Sequence, residues 1–97
     1  MNIEIKGNVI NINSPVVTLS DVEQLVQILK SKENETQIIL NIKSFSLPSS
    51  IIGELLRLHD KGVAISINVY DDTLYELLDA LQLTKKFNIR MFDAFNN

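Results

Sequence analysis

Two hydrophobic periods alternate along this chain, and the alternation limits it to one class of fold. Apolar and polar residues alternate one by one over residues 2–6 and 63–67, which is the pattern of half-buried strands. The apolar-rich residues 9–12 can form a further strand. Residues 38–42 are almost continuously apolar, as is typical of a central strand. Between these runs, apolar residues recur at intervals of three and four, the pattern of amphipathic helices. The chain is therefore predicted to alternate strands with helices.

Three helices are predicted from capping boxes and apolar stripes. Capping boxes, in which a hydroxyl residue and a Glu three residues later cap each other's backbone, occur at Ser20–Glu23 and Thr73–Glu76. The second helix is expected over residues 51–61, with Gly62 ending it. The inward-facing stripes of the three helices are Val22, Leu25, Val26 and Leu29; Ile52, Leu55, Leu56 and His59; and Leu74, Leu77, Leu78 and Leu81.

The predicted order of elements is β-β-α-β-α-β-α-β, with a hairpin turn at Gly7-Asn8 and a last strand over residues 87–91. Such alternation is typical of an α/β domain with largely parallel strands. Because the helical stripes are narrow and several strands have one apolar face, we expect the helices mainly on one face. The prediction is one two-layer domain over residues 1–97, with a mixed, mostly parallel sheet and a frayed tail at Asn96-Asn97.

Composition narrows the classes of function. The 97 residues include 9 Lys and Arg and 12 Asp and Glu, a net charge of −3 without a basic block. This balance argues against nucleic acid or an anionic membrane surface as a partner. The absence of cysteine excludes disulfides and thiolate metal sites. No apolar run reaches the roughly 20 residues of a membrane span, and the first ten residues do not resemble a signal peptide. A cytoplasmic protein without membrane insertion is expected.

No motif of catalysis or cofactor binding occurs, whether GxSxG, GxGxxG, a Walker loop or HExxH. His59 is the single imidazole and is interpreted as a partly buried packing residue near a helix end. Asp71-Asp72 is the adjacent carboxylate pair and is interpreted as a helix cap, because Mg²⁺ or Ca²⁺ needs more oxygen ligands. We therefore predict no enzyme activity, catalytic residue, metal or cofactor.

The segment Leu47–Gly53 carries the most information about function. It joins a central strand to a helix at the carboxyl end of the sheet, where open α/β folds bind their ligands. Ser49 and Ser50 place two hydroxyl groups where backbone N–H groups point outward. One of them caps the helix, or one is an anion or phosphorylation site, since a helix N-terminus also stabilises phosphate.

Several segments from the central strand onward form a pattern seen in a known family. They are Ile38–Ile42, Phe45, Ser49, Ser50, Leu55, Leu56, Gly62–Ile67, Leu77–Leu83 and Phe87–Ile89. Together they resemble a STAS domain, the fold of bacterial anti-sigma factor antagonists, over residues 37–92. The family's loop signature is Asp-Ser-Ser-Gly, in which a kinase that is also the anti-sigma factor phosphorylates the first Ser.

Aligned without gaps, Ser50 takes the position of the phosphorylated Ser, while Ser49, Ile51 and Ile52 replace the Asp, the second Ser and the Gly. The resemblance implies a regulatory protein that binds an anti-sigma factor or a related kinase, with Ser50 and Ser49 as phosphorylation candidates. The partner contacts expected on this basis are Phe45, Pro48, Ser49, Ser50, Ile51, Glu54 and Arg57.

A second function stays open at this point. Some domains of this family serve as adaptor subunits of transporters or larger signalling complexes, without phosphorylation. The altered loop favours this alternative, because an apolar Pro48–Ile51 patch would suit a constitutive interface.

Overall fold

The computed structural model describes residues 2–92, and the predicted order of elements is confirmed. The strands are β1 (Ile3–Lys6), β2 (Val9–Ile12), β3 (Gln37–Ile42), β4 (Ala64–Val69) and β5 (Asn88–Met91). The helices are α1 (Leu19–Lys30), α2 (Ser49–Asp60) and α3 (Asp72–Ala80), and a 3₁₀ turn over Leu83–Lys85 precedes β5. The fraying predicted for Asn96-Asn97 lies outside the described residues.

The strands follow one another across the sheet in the order β1-β2-β3-β4-β5. β1 and β2 pair antiparallel through the turn at Gly7, whose φ of 61° is readily available to glycine. All other neighbours are parallel. Crossovers between parallel neighbours are almost always right-handed, so three successive ones place α1, α2 and α3 on the same face. The predicted two-layer α/β architecture with a mostly parallel sheet is confirmed.

The core lies between this face of the sheet and the helices. Side chains alternate along β3 and β4, so that one set is buried against the helices and the other faces away from them. The fully buried members of the strands are Ile10, Ile12, Ile38, Leu40, Ile42, Ile67 and Val69. The fully buried residues of the helices are Leu25, Leu29, Ile51, Leu58, Leu74 and Leu78, with Leu55 nearly so.

The register predicted for α2 is wrong by about one position. The stripe facing the core is Ile51, Leu55 and Leu58, whereas Ile52, Leu56 and His59 are half-buried. The helix has apolar residues on about half of its circumference, and such a wide stripe does not determine which edge faces the sheet. For the same reason Leu77 and Leu81, assigned to the inward stripe of α3, are exposed.

Neither predicted capping box forms, because another residue caps each helix. Thr18 caps α1: its Oγ1 accepts from Asp21 N (3.0 Å), and the Asp21 carboxylate accepts in return. α3 is capped by Asp71, whose Oδ1 accepts from Thr73 N (2.9 Å) and Leu74 N (3.2 Å). The capping interpretation of Asp71 is thus confirmed, while Ser20 and Thr73 lie inside their helices. Each helix begins earlier because an equally good cap precedes the predicted one.

Leu58→Ala is expected to lower the free energy of unfolding by about 2–5 kcal/mol, because it opens a cavity in the core. Leu56→Ala removes the same atoms from the same helix at a half-buried position, so its loss should be clearly smaller. Urea unfolding of both variants measures the difference. Equal losses would contradict the register of α2.

Candidate functional site

Four strand ends meet at one edge of the sheet. β2, β3, β4 and β5 are parallel, so the segments that follow them, residues 13–18, 43–48, 70–71 and 92, all emerge on the same side. We call this side the carboxyl edge. It contains the loop to which the sequence assigned the site, and it is where open α/β sheets present functional groups.

The loop after β3 is fixed by one buried hydroxyl group. Ser44 is fully buried; its Oγ donates to Ser46 O (2.8 Å) and accepts from Val16 N (3.3 Å). Lys43 N also donates to Ile12 O (2.9 Å). These bonds hold the loops that follow β2 and β3 against each other. The side chains that they carry therefore have a defined position relative to the sheet.

Three exposed apolar side chains flank this junction. Val17 and Phe45, which directly follow the bonded residues Val16 and Ser44, are 68% and 51% exposed. Leu19, the first residue of α1, is 73% exposed. We call Val17, Leu19 and Phe45 the apolar patch. Phe45 was expected as a partner contact, and its exposure fits that role; Val17 and Leu19 were not predicted, although each precedes or opens a helix beside the same edge.

Ser49 and Ser50 are exposed in the first turn of α2, and neither caps the helix. The N-cap residue is Pro48, which has no acceptor in its side chain, and its carbonyl receives Ile51 N (3.0 Å). The cap interpretation is therefore wrong. α2 begins one residue earlier than a serine cap would require because the fixed φ of Pro48 already sets the entry of the chain. Both hydroxyl groups are left accessible to a partner or a modifying enzyme.

Ile51 does not belong to any exposed surface. Its side chain is fully buried in the core. The prediction that Ile51 forms an exposed apolar surface together with Pro48 is therefore wrong. A residue that continues the stripe of Leu55 and Leu58 by one turn necessarily faces the sheet. Ile52, half-buried, packs against the core instead of providing the small residue of the family signature.

Glu54 and Arg57 form an ion cluster with a residue beyond α1. Arg57 Nε donates to Glu54 Oε1 (2.6 Å), and its Nη1 donates to Glu33 Oε2 (3.1 Å). Lys61 Nζ lies 3.7 Å from the same Glu33 oxygen. Arg57 is about 10 Å from Ser50 along the helix axis, at 1.5 Å per residue. The structure thus brings Phe45, Pro48, Ser49 and Ser50 to the carboxyl edge, while this cluster links α2 to the segment after α1.

A second group at the carboxyl edge was not predicted. The rings of Tyr70 and Phe92 are stacked, with centroids 5.4 Å apart, and Lys43 Nζ lies 5.8 Å from the centroid of the Tyr70 ring. Each of these residues directly follows the last residue of a parallel strand. That position was the available signal, because residues that follow parallel neighbours emerge together.

The remaining candidates have packing roles. His59 meets Phe87 edge to face, with ring centroids 5.8 Å apart, which confirms its interpretation as a packing residue. Tyr75, left open as surface or interface, is half-buried against the core. Within residues 2–92, no three His, Asp or Glu side chains are grouped as metal ligands would be. Among the helices of the same residues, none has the length and apolarity to span a bilayer.

Comparison of the chain with protein families, curated proteins and solved structures gave no match.

Ser44→Ala is expected to lower the free energy of unfolding by about 1–3 kcal/mol, because it leaves the buried Val16 N–H without an acceptor. Ser46→Ala is the matched control: Ser46 lies in the same loop and takes part in these bonds through its backbone alone. Thermal and urea unfolding measure both. A Ser44→Ala variant as stable as the control would show that the hydroxyl does not hold the loops together.

Acid should weaken the ion cluster. The hydrogen bond from Arg57, and after it the charge of Lys61, lower the pKa of Glu33. The carboxylate therefore stabilises the fold above its unfolded pKa of about 4.3, and this contribution is lost as the pH falls through the lower folded pKa. Glu33→Gln should make the decline of stability between about pH 5 and pH 3 shallower. The control is Glu35→Gln; equal slopes for the two variants would contradict the role of Glu33.

Proposed function

We propose that this chain is a small STAS-like regulatory module that binds a partner protein with its carboxyl edge. The observation that carries the proposal is the apolar patch: three large side chains exposed around a junction that buried Ser44 holds in place. Exposed apolar clusters mark protein-binding surfaces. Because the loops are already ordered, binding would immobilise few further backbone groups, which lowers its entropic cost.

The partner favoured by the resemblance is an anti-sigma factor or a related regulatory kinase. The exposed hydroxyl of Ser50 supports a switch in this complex. Phosphorylation would add about two negative charges in the first turn of α2, where the helix dipole tolerates them. A partner surface packed on the patch would be repelled unless it offered Arg or Lys. The switch would then act on the interface and leave the fold intact.

An adaptor function without phosphorylation is the second candidate. It is favoured by the apolar chemistry of Val17, Leu19 and Phe45, which suits a constitutive interface in a transporter or a larger signalling complex. The loop also lacks the Asp, second Ser and Gly of the family signature. The two candidates share the same surface and differ in whether a charge at Ser50 releases the partner.

Co-purification of the tagged chain, followed by mass spectrometry, would identify the partner. Phe45→Ala should then weaken binding of that partner by about tenfold or more if Phe45 is a central contact. Leu81→Ala is the matched control, because Leu81 is also 51% exposed but lies beyond α3. If neither variant weakens binding, the apolar patch is not part of the interface.

Ser50 variants test the switch. Ser50→Ala should leave the free energy of unfolding within about 0.5 kcal/mol of wild type because Ser50 does not cap α2. Asp71→Ala, which does remove a cap, should lower it by about 0.5–2 kcal/mol. Ser50→Asp should fold normally but weaken partner binding, while Ser50→Ala binds as wild type does. Unchanged binding by Ser50→Asp would exclude the switch and favour the adaptor.

A further inference from the structure

One row of polar residues crosses the whole face of the sheet that the helices leave uncovered. Strand register places Glu4 beside Asn11, Asn11 beside Asn41, Asn41 beside Asn68, and Asn68 beside Arg90. The three amides form a ladder: Asn68 Nδ2 donates to Asn41 Oδ1, and Asn41 Nδ2 donates to Asn11 Oδ1, both at 2.7 Å. The row therefore has one residue on every strand and a rigid centre.

The two ends of the row have opposite charges. Glu4 lies on β1, at one side of the sheet, and Arg90 lies on β5, at the other. Both side chains are exposed, and within residues 2–92 neither has an ion-pair partner. At about 4.8 Å per strand, the two charges are separated by about 19 Å. The row thus has opposite charges at equal distances on the two sides of Asn41.

We propose that this open face binds a second copy of the chain in a weak, reversible dimer. Turning the second copy about an axis parallel to β3 brings the two open faces together and exchanges their sides, so β1 of each lies over β5 of the other. Glu4 of one copy then faces Arg90 of the other, twice by symmetry. Turning it about an axis across the strands would instead oppose Glu4 to Glu4, so the charges select the first arrangement.

The neighbouring rows fit the same arrangement. The row beside the amides runs from exposed Lys6 on β1 through Val9, half-buried Ile39 and Ser66 to Asn88 on β5. In this arrangement Lys6 would face the neutral side chain of Asn88 in the other copy, and Ile39 would meet its own copy near the axis. On the other side, Lys43 Nζ lies 5.8 Å from the ring centroid of Tyr70, which directly follows β4 and is therefore one strand away from the axis. The two Lys43 ammonium groups are therefore drawn apart. Packed sheets cross at about 30°, which offsets the row ends by about 5 Å, within the reach of an arginine side chain.

The size of the face predicts the strength of the dimer. The strands have four or six residues each, and at about 4.8 Å between strands and 3.3 Å per residue they form a face of roughly 400 Å² per copy. Burying about 800 Å² in total is below the usual range for stable complexes. Association is therefore expected to be weak and transient, and high salt should weaken it further. Both carboxyl edges would point the same way and stay uncovered, so this inference is independent of the proposed function.

Charge reversal at the row ends gives a sharp test. In Glu4→Arg both ends are positive, and in Arg90→Glu both are negative, so each variant alone should dimerise at least about tenfold more weakly than wild type. An equimolar mixture of the two variants restores two opposite-charge pairs and should dimerise as wild type does. Glu76→Arg and Lys30→Glu, exposed on α3 and α1, make the same changes in net charge away from the row.

Sedimentation velocity from about 10 µM to about 1 mM, a range that detects weak self-association, measures all six samples. Circular dichroism confirms that each variant is folded. Wild-type dimers, weakened single variants, a restored mixture and unaffected controls together support the proposal. It is overturned if wild type stays monomeric, if either single variant dimerises normally, if the mixture does not recover, or if the controls weaken equally.

Discussion

The one-sided placement of the helices determines the rest of this structure. Consecutive parallel neighbours joined by right-handed crossovers oblige α1, α2 and α3 to cover the same face. Inward isoleucines of the strands and leucines of the helices then form a single apolar layer. Two surfaces of the sheet lie outside this apolar layer. The carboxyl edge contains the loops that follow the parallel strands, and the face of the sheet opposite the helices has mostly polar side chains.

Much of the fold could be predicted because it depends on hydrophobic periods. The order of strands and helices, the positions of the strands and the two-layer class follow from the spacing of apolar residues, which changes between two in strands and about 3.6 in helices. Helix starts and helix rotation could not be predicted as well. Competing caps lie within three residues of each other at Thr18 and Ser20, and α2 has apolar residues on two adjoining faces. Only packing against the sheet chooses among such alternatives.

The position of the candidate site was predicted, but several of the residues that form it were not. The position of Ser49 and Ser50 at the start of α2 follows from the strand-to-helix junction. Val16, by contrast, whose N–H donates to Ser44, lies 28 residues away in the chain, so this role of Ser44 cannot be found from the local sequence pattern. The amide ladder is similar: three ordinary asparagines become a row only when strand register is known.

The ladder also shows that strands which are neighbours in the sheet are close together in the sequence. Its two hydrogen bonds join residues 30 and 27 positions apart, close to the length of one strand–helix unit. No later strand inserts between two earlier ones, so each unit completes the edge left by the unit before it. Sheets built in this order resemble repeat proteins, in which stability is shared between neighbours. Such a chain can lengthen in evolution by adding a unit beside β5, without rearranging the core that already exists.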